Sequence, residues 1–495
     1  MRKVITLLII ILVSVLIAKA QRQDRIWCFG YHAGIDFNDS LNPLAFDSQL
    51  EMFSSISNAS ISDANGNLLF YAAGIDFNNF GGKVYNQNFQ LMDNGDSLAG
   101  HPYAGTGFLI IPFPNDTSLY YLFAIQRHSP SGAQKLYYSV INMENNGGLG
   151  RVISKNIFLN LDTITEKLTA VKHANGRDWW LLVLKAFPDS FCKFLITPDG
   201  ISGPYFQPIG SPVHLMSPFG QLIFSNDGNK LLSVGANSFI DLFDFDRCTG
   251  IISNFRDLSD HVLDIAHQFY GCSFSPDGTK IYVSPFNLIK SIFQFDLNAT
   301  NIAASKQLIF NYPDTGSMQN IQMGLHQLGP DGRIYIAKGT AYGGINSDTY
   351  NTHHMDVILN PDSLGSSCNY QPNYFDLGPG RTIGGLPNMP NYNLGPVTGS
   401  ICDSLTGINK QAELENGIEV YPNPSGGVFY LRLKNATQTG DKIVSVTVTD
   451  LIGSEILQQK SFSSTLDISN KSSGVYFVQV ITQKHKSFVA KVIKE

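Results

Sequence analysis

Short apolar runs recur along most of the chain, and each is bounded by glycine, proline or an Asp-Gly pair. Three of them align: FSNDGNKLLSVG (224–235), FSPDGTKIYVSP (274–285) and LGPDGRIYIAKG (328–339). In each, Asp accepts hydrogen bonds from the turn backbone, Gly takes a positive φ, and a second apolar strand follows. The pattern predicts a β-hairpin at every copy.

These hairpins belong to a longer repeat, because weaker copies of the strand precede them. The equivalent strand centres are Phe70, Leu122, Leu181, Leu232, Tyr282 and Tyr335. The steps between them are 52, 59, 51, 50 and 53 residues. A period of about fifty residues, with three or four short strands in each, is typical of a β-propeller.

Six blades are visible in this all-β pattern. A seventh would combine residues 26–37 with residues after 374 and would pair strands that an open array leaves exposed. We therefore expect a propeller over residues 21–395, with seven blades preferred and six as the alternative.

The pattern changes after residue 395. Residues 396–417 are polar and are interpreted as a linker. Residues 444–457 and 465–482 then alternate between apolar and polar positions, with turns at glycine. This predicts a second domain over residues 418–495, a small immunoglobulin-like β-sandwich of about seven strands.

The first 20 residues have the pattern of a secretory signal peptide. Arg2 and Lys3 precede an apolar run at residues 4–17, and Ala18-Lys19-Ala20 predicts cleavage between Ala20 and Gln21. The run is shorter than the roughly 20 residues that span a bilayer. We therefore expect an exported mature chain without a membrane span.

Composition narrows the partners and the chemistry. The 495 residues carry a net charge of -6, so no basic surface is expected to bind nucleic acid. The chain has no G-x-S-x-G, H-E-x-x-H, P-loop or dinucleotide signature, so catalytic residues stay unknown and no cofactor is expected.

Cysteine and histidine give weak signals only. The best metal-like group is His353, His354 and Asp356, but adjacent strand residues point to opposite faces, so a solvated loop is preferred to a metal site. The six cysteines lack zinc-type spacing. Cys368 and Cys402 flank the end of the large region and are the candidate disulfide, with free buried thiols as the alternative.

The C-terminal region resembles the type A sorting domain of the type IX secretion system. The matching residues are Tyr421, Pro422, Asn423, Pro424, Gly427, Phe429, Gly474, Val475, Tyr476 and Phe477. The resemblance implies recognition by the type IX translocon and sorting machinery, and delivery to the outer cell surface or the medium through the periplasm.

The large region resembles exported propeller proteins of Bacteroidota in its "ISDANGNLLFYAAG", "FSPDG" and "GGLPNMPNY" segments. Two functions stay open: a module that binds a glycan or a protein, which is preferred, and a hydrolase or lyase acting on polysaccharide or lactone. Trp179 and Trp180 are candidates for sugar stacking or for packing between blades. Ligand contacts are expected from loops 101–107 and 339–354, away from the Asp-Gly turns.

Overall fold

The computed structural model describes residues 22–50, 56–74, 81–127, 134–186, 189–211, 219–235, 239–259, 268–286, 290–313, 321–340, 351–403, 418–433, 442–451, 454–460, 464–483 and 487–495. The chain divides into two compact units, Met1–Arg247 with Ile251–Val397, and Cys248–Gly250 with Thr398–Glu495. The predicted signal peptide and its cleavage site at Ala20 and Gln21 lie outside the described residues.

Seven antiparallel sheets follow one another in the described part of the first unit, and each uses strands that are consecutive in the chain. Strands β1–β3 and β4–β6 form the two three-stranded sheets: Ile26–Phe29, Ala33–Asp36, Leu44–Asp47, Asn58–Ser62, Leu68–Gly74 and Gly82–Asn86. Strands β7–β10 and β11–β14 form the next two: Phe108–Pro112, Leu119–Arg127, Gln134–Asn142, Arg151–Asp162, Ile164–Lys172, Trp179–Ala186, Asp189–Thr197 and Gly200–Gln207.

The last three sheets have four strands each. Strands β15–β26 are Leu222–Phe224, Lys230–Val234, Ile240–Phe245, Ile252–Asp257, Phe269–Phe274, Lys280–Pro285, Ser291–Asp296, Gln307–Asn311, Ile321–Leu328, Ile334–Thr340, His354–Ile358 and Tyr370–Asp376. Short 3-10 turns lie at Asn146–Gly148, Ala303–Ser305 and Gly365–Cys368.

The Asp-Gly turns fold as the repeat predicts. In the fifth sheet, Asp227 accepts hydrogen bonds from the Ser225 hydroxyl and the Asn229 amide, and Gly228 has φ +75°. In the sixth sheet, Asp277 bonds the Ser275 hydroxyl and the Thr279 amide in the same way. We call the end of the ring that carries these turns the Asp-Gly face.

The sheets close into a ring because each successive pair shares a buried apolar cluster. The closing pair is the first sheet and the last. Trp27 and Phe37 pack on Tyr335 with ring centroids 5.6 and 5.3 Å apart, and all three are fully buried. The region is therefore a closed propeller of seven blades, which confirms the preferred prediction.

The first blade consists of the consecutive strands β1–β3, so the strand expected from residues after 374 does not join it. After β26 the chain makes a single bridge to this blade and then continues along the axis of the ring. Arg381 and Tyr31 exchange backbone hydrogen bonds at 2.9 and 3.0 Å. Further on, Gly384 accepts from the Leu325 amide and donates to the Lys338 carbonyl, both in the last sheet. We call residues 381–397 the axial segment.

One asparagine of the axial segment joins blades that are far apart in the chain. The Asn388 amide donates to the Asn58 carbonyl at 2.9 Å. Its side-chain nitrogen donates to the carbonyls of Thr106 and Leu168, at 3.1 and 2.9 Å. A single residue therefore ties the second, third and fourth blades together at the axis.

Close backbone contacts explain the glycines in this segment. A Cβ on Gly385 would lie 2.0 Å from the Ile56 carbonyl oxygen, and one on Gly324 would lie 2.2 Å from the Gly384 oxygen. Real Cβ atoms essentially never approach another atom to within 3.0 Å, so a side chain at either position would force the backbone to move. The "GG" before "LPNMPNY" thus lets the axial segment fit between the inner strands.

The second unit is a two-sheet sandwich, as predicted. Its strands β27–β33 are Ile418–Tyr421, Val428–Leu433, Ile443–Thr449, Glu455–Gln459, Thr465–Asp467, Gly474–Thr482 and Ser487–Lys494. The sheets have the orders β27-β28-β31 and β30-β29-β32-β33. Alternate residues of both sheets, including Phe429, Val446 and Val478, form its buried core.

Replacement of Asn388 by Ala should destabilise the propeller. Each buried carbonyl that loses its donor costs about 1–3 kcal/mol, and Asn388 serves two of them through its side chain. Urea unfolding of the purified chain measures the change. Asn393→Ala is the matched control, because Asn393 is exposed in the same segment. Equal stability of the two variants would contradict the role given to the axial segment.

Candidate ligand cavity

A cavity of about 360 Å³ opens on the Asp-Gly face, beside the axial segment. The turns of the fifth, sixth and seventh blades form part of its rim, through Asn226, Pro276 and Gly332. The axial segment forms another side, with residues 386–391, 393 and 394. The sequence placed the ligand site on the opposite face, whereas this cavity lies among the Asp-Gly turns.

Gln221 holds the inner strands that line this cavity. Its side-chain oxygen accepts from the amides of Cys272 and His326, at 2.8 and 2.9 Å. Its side-chain nitrogen donates to the His326 carbonyl at 2.9 Å. Because Gln221 is itself buried, these three bonds fix the fifth, sixth and seventh blades relative to one another.

His326 is one of the lining residues, and its side chain is buried between the sixth and seventh blades. Its Nε2 lies 2.8 Å from the Ser284 hydroxyl, and its Nδ1 has no hydrogen-bond partner among the described residues. The ring is 1% exposed, and burial lowers the pKa of His326 to about 3. The imidazole is therefore neutral at physiological pH.

Two further unpaired atoms belong to the charged residues of the lining. Asp24 Oδ1 and Arg25 Nε are both buried without a hydrogen-bond partner among the described residues, and they lie 4.0 Å apart. Burial raises the pKa of Asp24, and the neighbouring Arg25 opposes that shift.

Loop 101–107 packs against the beginning of β11, and its Thr106 is also a lining residue of the cavity. The Thr106 hydroxyl donates to the Glu166 carbonyl at 2.5 Å, and the Gly105 amide donates to the Glu166 carboxylate at 3.4 Å. A Cβ on Gly105 would lie 2.5 Å from the Tyr270 hydroxyl. The loop is buried apart from Tyr103, so most of it is committed to the fold. Of the second expected loop, residues 341–350 lie outside the described part of the chain.

The inner strand β11 of the fourth blade carries a buried lysine, Lys167. Its Nζ lies 3.3 Å from the Ser233 hydroxyl and 4.0 Å from the centre of the Phe239 ring. Burial lowers the pKa of Lys167 to about 7, and burial raises the pKa of nearby Asp241 to about 6. Lys167 and Asp241 are both fully buried, and neither is among the residues that line the cavity.

Among the described residues, the histidine pair and Asp356 do not come together. His353 bonds the carbonyl of Gly380 at 2.7 Å, and His354 Nε2 lies 3.9 Å from Asp376. Asp356 points elsewhere, into a fully buried ion pair with Lys338 at 2.5 Å. In the part of the chain that the structure describes, no three His, Cys, Asp or Glu residues gather as metal ligands.

Asp356 instead organises the core of the last blade. The Tyr312 hydroxyl and the Asn373 amide donate to its Oδ1 at 2.8 Å each, and the Tyr370 hydroxyl donates to Oδ2. These donors and the Lys338 ammonium satisfy the buried carboxylate. Sequence spacing alone could not reveal this role, because Tyr312 and Lys338 come from other strands.

The packing corrects the predicted disulfide and, for the tryptophan pair, confirms the alternative of packing between blades. The disulfide joins Cys402 to Cys248, whereas Cys368 is a free, buried thiol next to the Tyr282 side chain. Cys368 was chosen for its position in the chain, but the fold brings the turn after β17 to Cys402. Trp179 and Trp180 are 2% and 3% exposed, so they pack in the core and offer no stacking surface.

The geometry of the second unit accounts for several residues of its YPNP start. Asn423 donates to the Lys491 carbonyl and accepts from the Ile493 amide, at 2.8 Å each, which ties the turn to the last strand. A Cβ on Gly427 would lie 2.5 Å from the Cα of Ser469. Tyr421 stays exposed and stacks on exposed Tyr430, with ring centroids 5.8 Å apart.

Residues 419–495 match the family model described as "Secretion system C-terminal sorting domain". The C-terminal unit is a sorting domain. The chain is therefore a cargo of the type IX secretion machinery and is exported to the cell surface or secreted. In the described residues, no helix combines the length and apolar character that crossing a membrane requires.

Similarity over the rest of the chain is low. Solved structures that resemble it include proteins assigned as 6-phosphogluconolactonases from Bacteroides fragilis (13% identity, TM-score 0.46, 74% of this chain and 96% of that chain) and Bacteroides uniformis (14%, 0.46, 73% and 98%). Another is the β-propeller domain of Cps50 (Swd1) from Myceliophteria thermophila (11%, 0.32, 65% and 86%). No curated protein matches the chain. The fold assignment rests on the seven sheets themselves.

Deletion of residues 418–495 should leave a folded propeller that stays in the periplasm. The sandwich has its own core, so its removal takes no buried residue from the propeller clusters. Fractionation of cells with an intact type IX system, with circular dichroism of the purified product, measures both properties. The matched gain-of-function control fuses residues 418–495 to an unrelated periplasmic protein. Normal surface or medium levels of the truncated chain would contradict the assignment.

Proposed function

We propose that this exported propeller is a binding module and that its ligand occupies the axial cavity on the Asp-Gly face. The proposal rests on one observation: other parts of the chain fill the axis of the propeller. The axial segment and loop 101–107 occupy the centre of the ring, and the cavity is the space left beside them. A volume of about 360 Å³ lies within the usual range for small-molecule sites.

The composition of the lining favours binding over hydrolysis. Asp24 is the only carboxylic residue, and His326 the only histidine, among the described residues that line the cavity. Most glycoside hydrolases use two carboxylic residues that flank the scissile bond. The neutral polar residues of the lining carry amides and hydroxyls, and those of Gln221 and Asn388 are used to hold the inner strands together.

The attachment of a rigid site to a sorting domain suits a surface receptor. The inner strands around the cavity are cross-linked by Gln221 and Asn388, so little ordering is needed when a ligand enters. Export then presents the cavity outside the cell, where a small molecule or the end of a longer polymer is accessible.

Replacement of Gln327 by Trp tests the location of the site. Gln327 is half-buried in the lining, so an indole there should fill part of the cavity and weaken binding about tenfold or more. The purified chain is applied to an array of immobilised glycans and proteins, and bound protein is measured. Soluble products released from the array are measured in the same experiment.

Gln90→Trp is the matched control, because Gln90 is exposed in the turn after β6 and does not line the cavity. The proposal expects the control to bind like the natural chain. Unchanged binding by Gln327→Trp would place the ligand elsewhere. Steady release of cleaved glycan by the natural chain would show a hydrolase or lyase instead.

A further inference from the structure

The axial segment is the last part of the propeller, and the chain runs on from it towards the sorting domain at residues 419–495. We propose that the Cys248–Cys402 disulfide, together with Arg247, anchors the end of the axial segment to the fifth blade. A pull on the C-terminal tail is then carried by that blade and leaves the axial segment in place. This inference concerns the coupling of export to the fold and does not depend on the proposed ligand.

The axial segment is sensitive to such a pull because of its position and its bonding. The sorting domain is the part of the chain that the secretion machinery handles, and a load on it reaches the propeller through the end of the axial segment. Gly384 and Asn388 hold the segment by backbone hydrogen bonds at separate points, and the segment is not a strand of any of the seven sheets. Separate bonds can open one after another, so a pull from the C-terminal end would withdraw an unanchored segment from the axis.

Arg247 forms the non-covalent part of the anchor. It lies buried in the turn between β17 and β18 of the fifth blade. Its Nε donates to the Lys172 carbonyl and its Nη2 to the Gly395 carbonyl, at 2.7 Å each. The Val397 amide donates to the Ala174 carbonyl at 2.8 Å, and the Ala174 amide donates to the Arg247 carbonyl at 2.9 Å. The end of the axial segment is therefore tied to both the fourth and the fifth blade.

The disulfide makes this tie covalent. Cys248 directly follows Arg247, and Cys402 comes shortly after Val397. The bond joins residues 154 positions apart, with their Cα atoms 5.7 Å from each other. A pull that reaches Cys402 from the C-terminal side therefore passes through the two sulfur atoms to Cys248 and into β17 and β18. These two strands pair with each other, and β17 also pairs with β16, so many hydrogen bonds share the load.

The placement of the bond favours an anchor over general reinforcement. All six cysteines lie in the described residues, and four of them, Cys28, Cys192, Cys272 and Cys368, are free and buried. The exported chain thus forms its disulfide at the point where the chain leaves the propeller. A bond between two blades elsewhere would also stabilise the ring, but it would not separate the tail from the axial segment.

Force spectroscopy on the chain without its predicted signal peptide tests the anchor. One handle is attached at Glu144→Cys, an exposed position after β9, where the buried thiols do not compete for the label. The other handle is attached at the C-terminus, so that the pull passes through the tail. Cys248→Ser combined with Cys402→Ser removes the disulfide.

In this double variant we expect an additional low-force step as residues 381–402 leave the axis. The step releases about 22 residues, which extend by up to roughly 75 Å. The chain with its disulfide should lack this step. The sandwich unfolds in a separate, longer step in both chains. Absence of the short step from the double variant, or its presence in the disulfide-bonded chain, would overturn the proposal.

A second pulling geometry separates an anchor from a general stabiliser. With the handle at Glu144→Cys retained and the other moved to the N-terminus, the force does not enter through the tail. The proposal expects the two chains to unfold at the same force in this geometry. A drop in unfolding force by the same factor in both geometries would show that the disulfide only stabilises the fold, and the anchor would be wrong.

Thermal melts establish that the double variant is folded. If it does not fold, the natural disulfide-bonded chain is pulled in dithiothreitol, which reduces the bond to two thiols and is itself oxidised to a cyclic disulfide. The other four cysteines are already thiols, so the Cys248–Cys402 bond is the one that changes. The same short step is expected, and its absence would again overturn the proposal.

Discussion

The axial segment is the constraint on which the rest of the propeller depends. A ring of seven sheets leaves a space at its axis, and the inner strands carry backbone groups that must find partners there. In this chain, residues 381–397 supply them. They bond the first blade at Tyr31, the second through Asn388, and the last at Leu325 and Lys338. Tyr392 continues the contact, donating its hydroxyl to the Ile110 carbonyl at 2.9 Å.

The candidate site is a consequence of this filling. The axial segment fills part of the axis, and the cavity lies beside residues 386–394 on the Asp-Gly face. Its walls are inner strands that Gln221 holds at fixed distances.

The sequence predicts the ring well and the site poorly, for physical reasons. Asp-Gly turns and strand alternation are local, so a repeat of about fifty residues reveals the blades. Contacts made across the axis are not local. The Cys248–Cys402 disulfide spans 154 residues, and Asn388 bonds carbonyls 282 and 220 residues away. The Asp-Gly turns also line the cavity, and their regular sequence does not distinguish them from ordinary hairpin turns.

Native-state hydrogen exchange tests the central claim most directly. The amides of Leu325, Gly384 and Asn388 donate to backbone carbonyls at the axis, at 2.8, 3.0 and 2.9 Å. If the axial segment is part of the propeller core, peptides covering 384–392 should exchange as slowly as the inner strands and open only with global unfolding. Rapid exchange of those peptides, with the inner strands still protected, would show that the axis is open and would contradict the account.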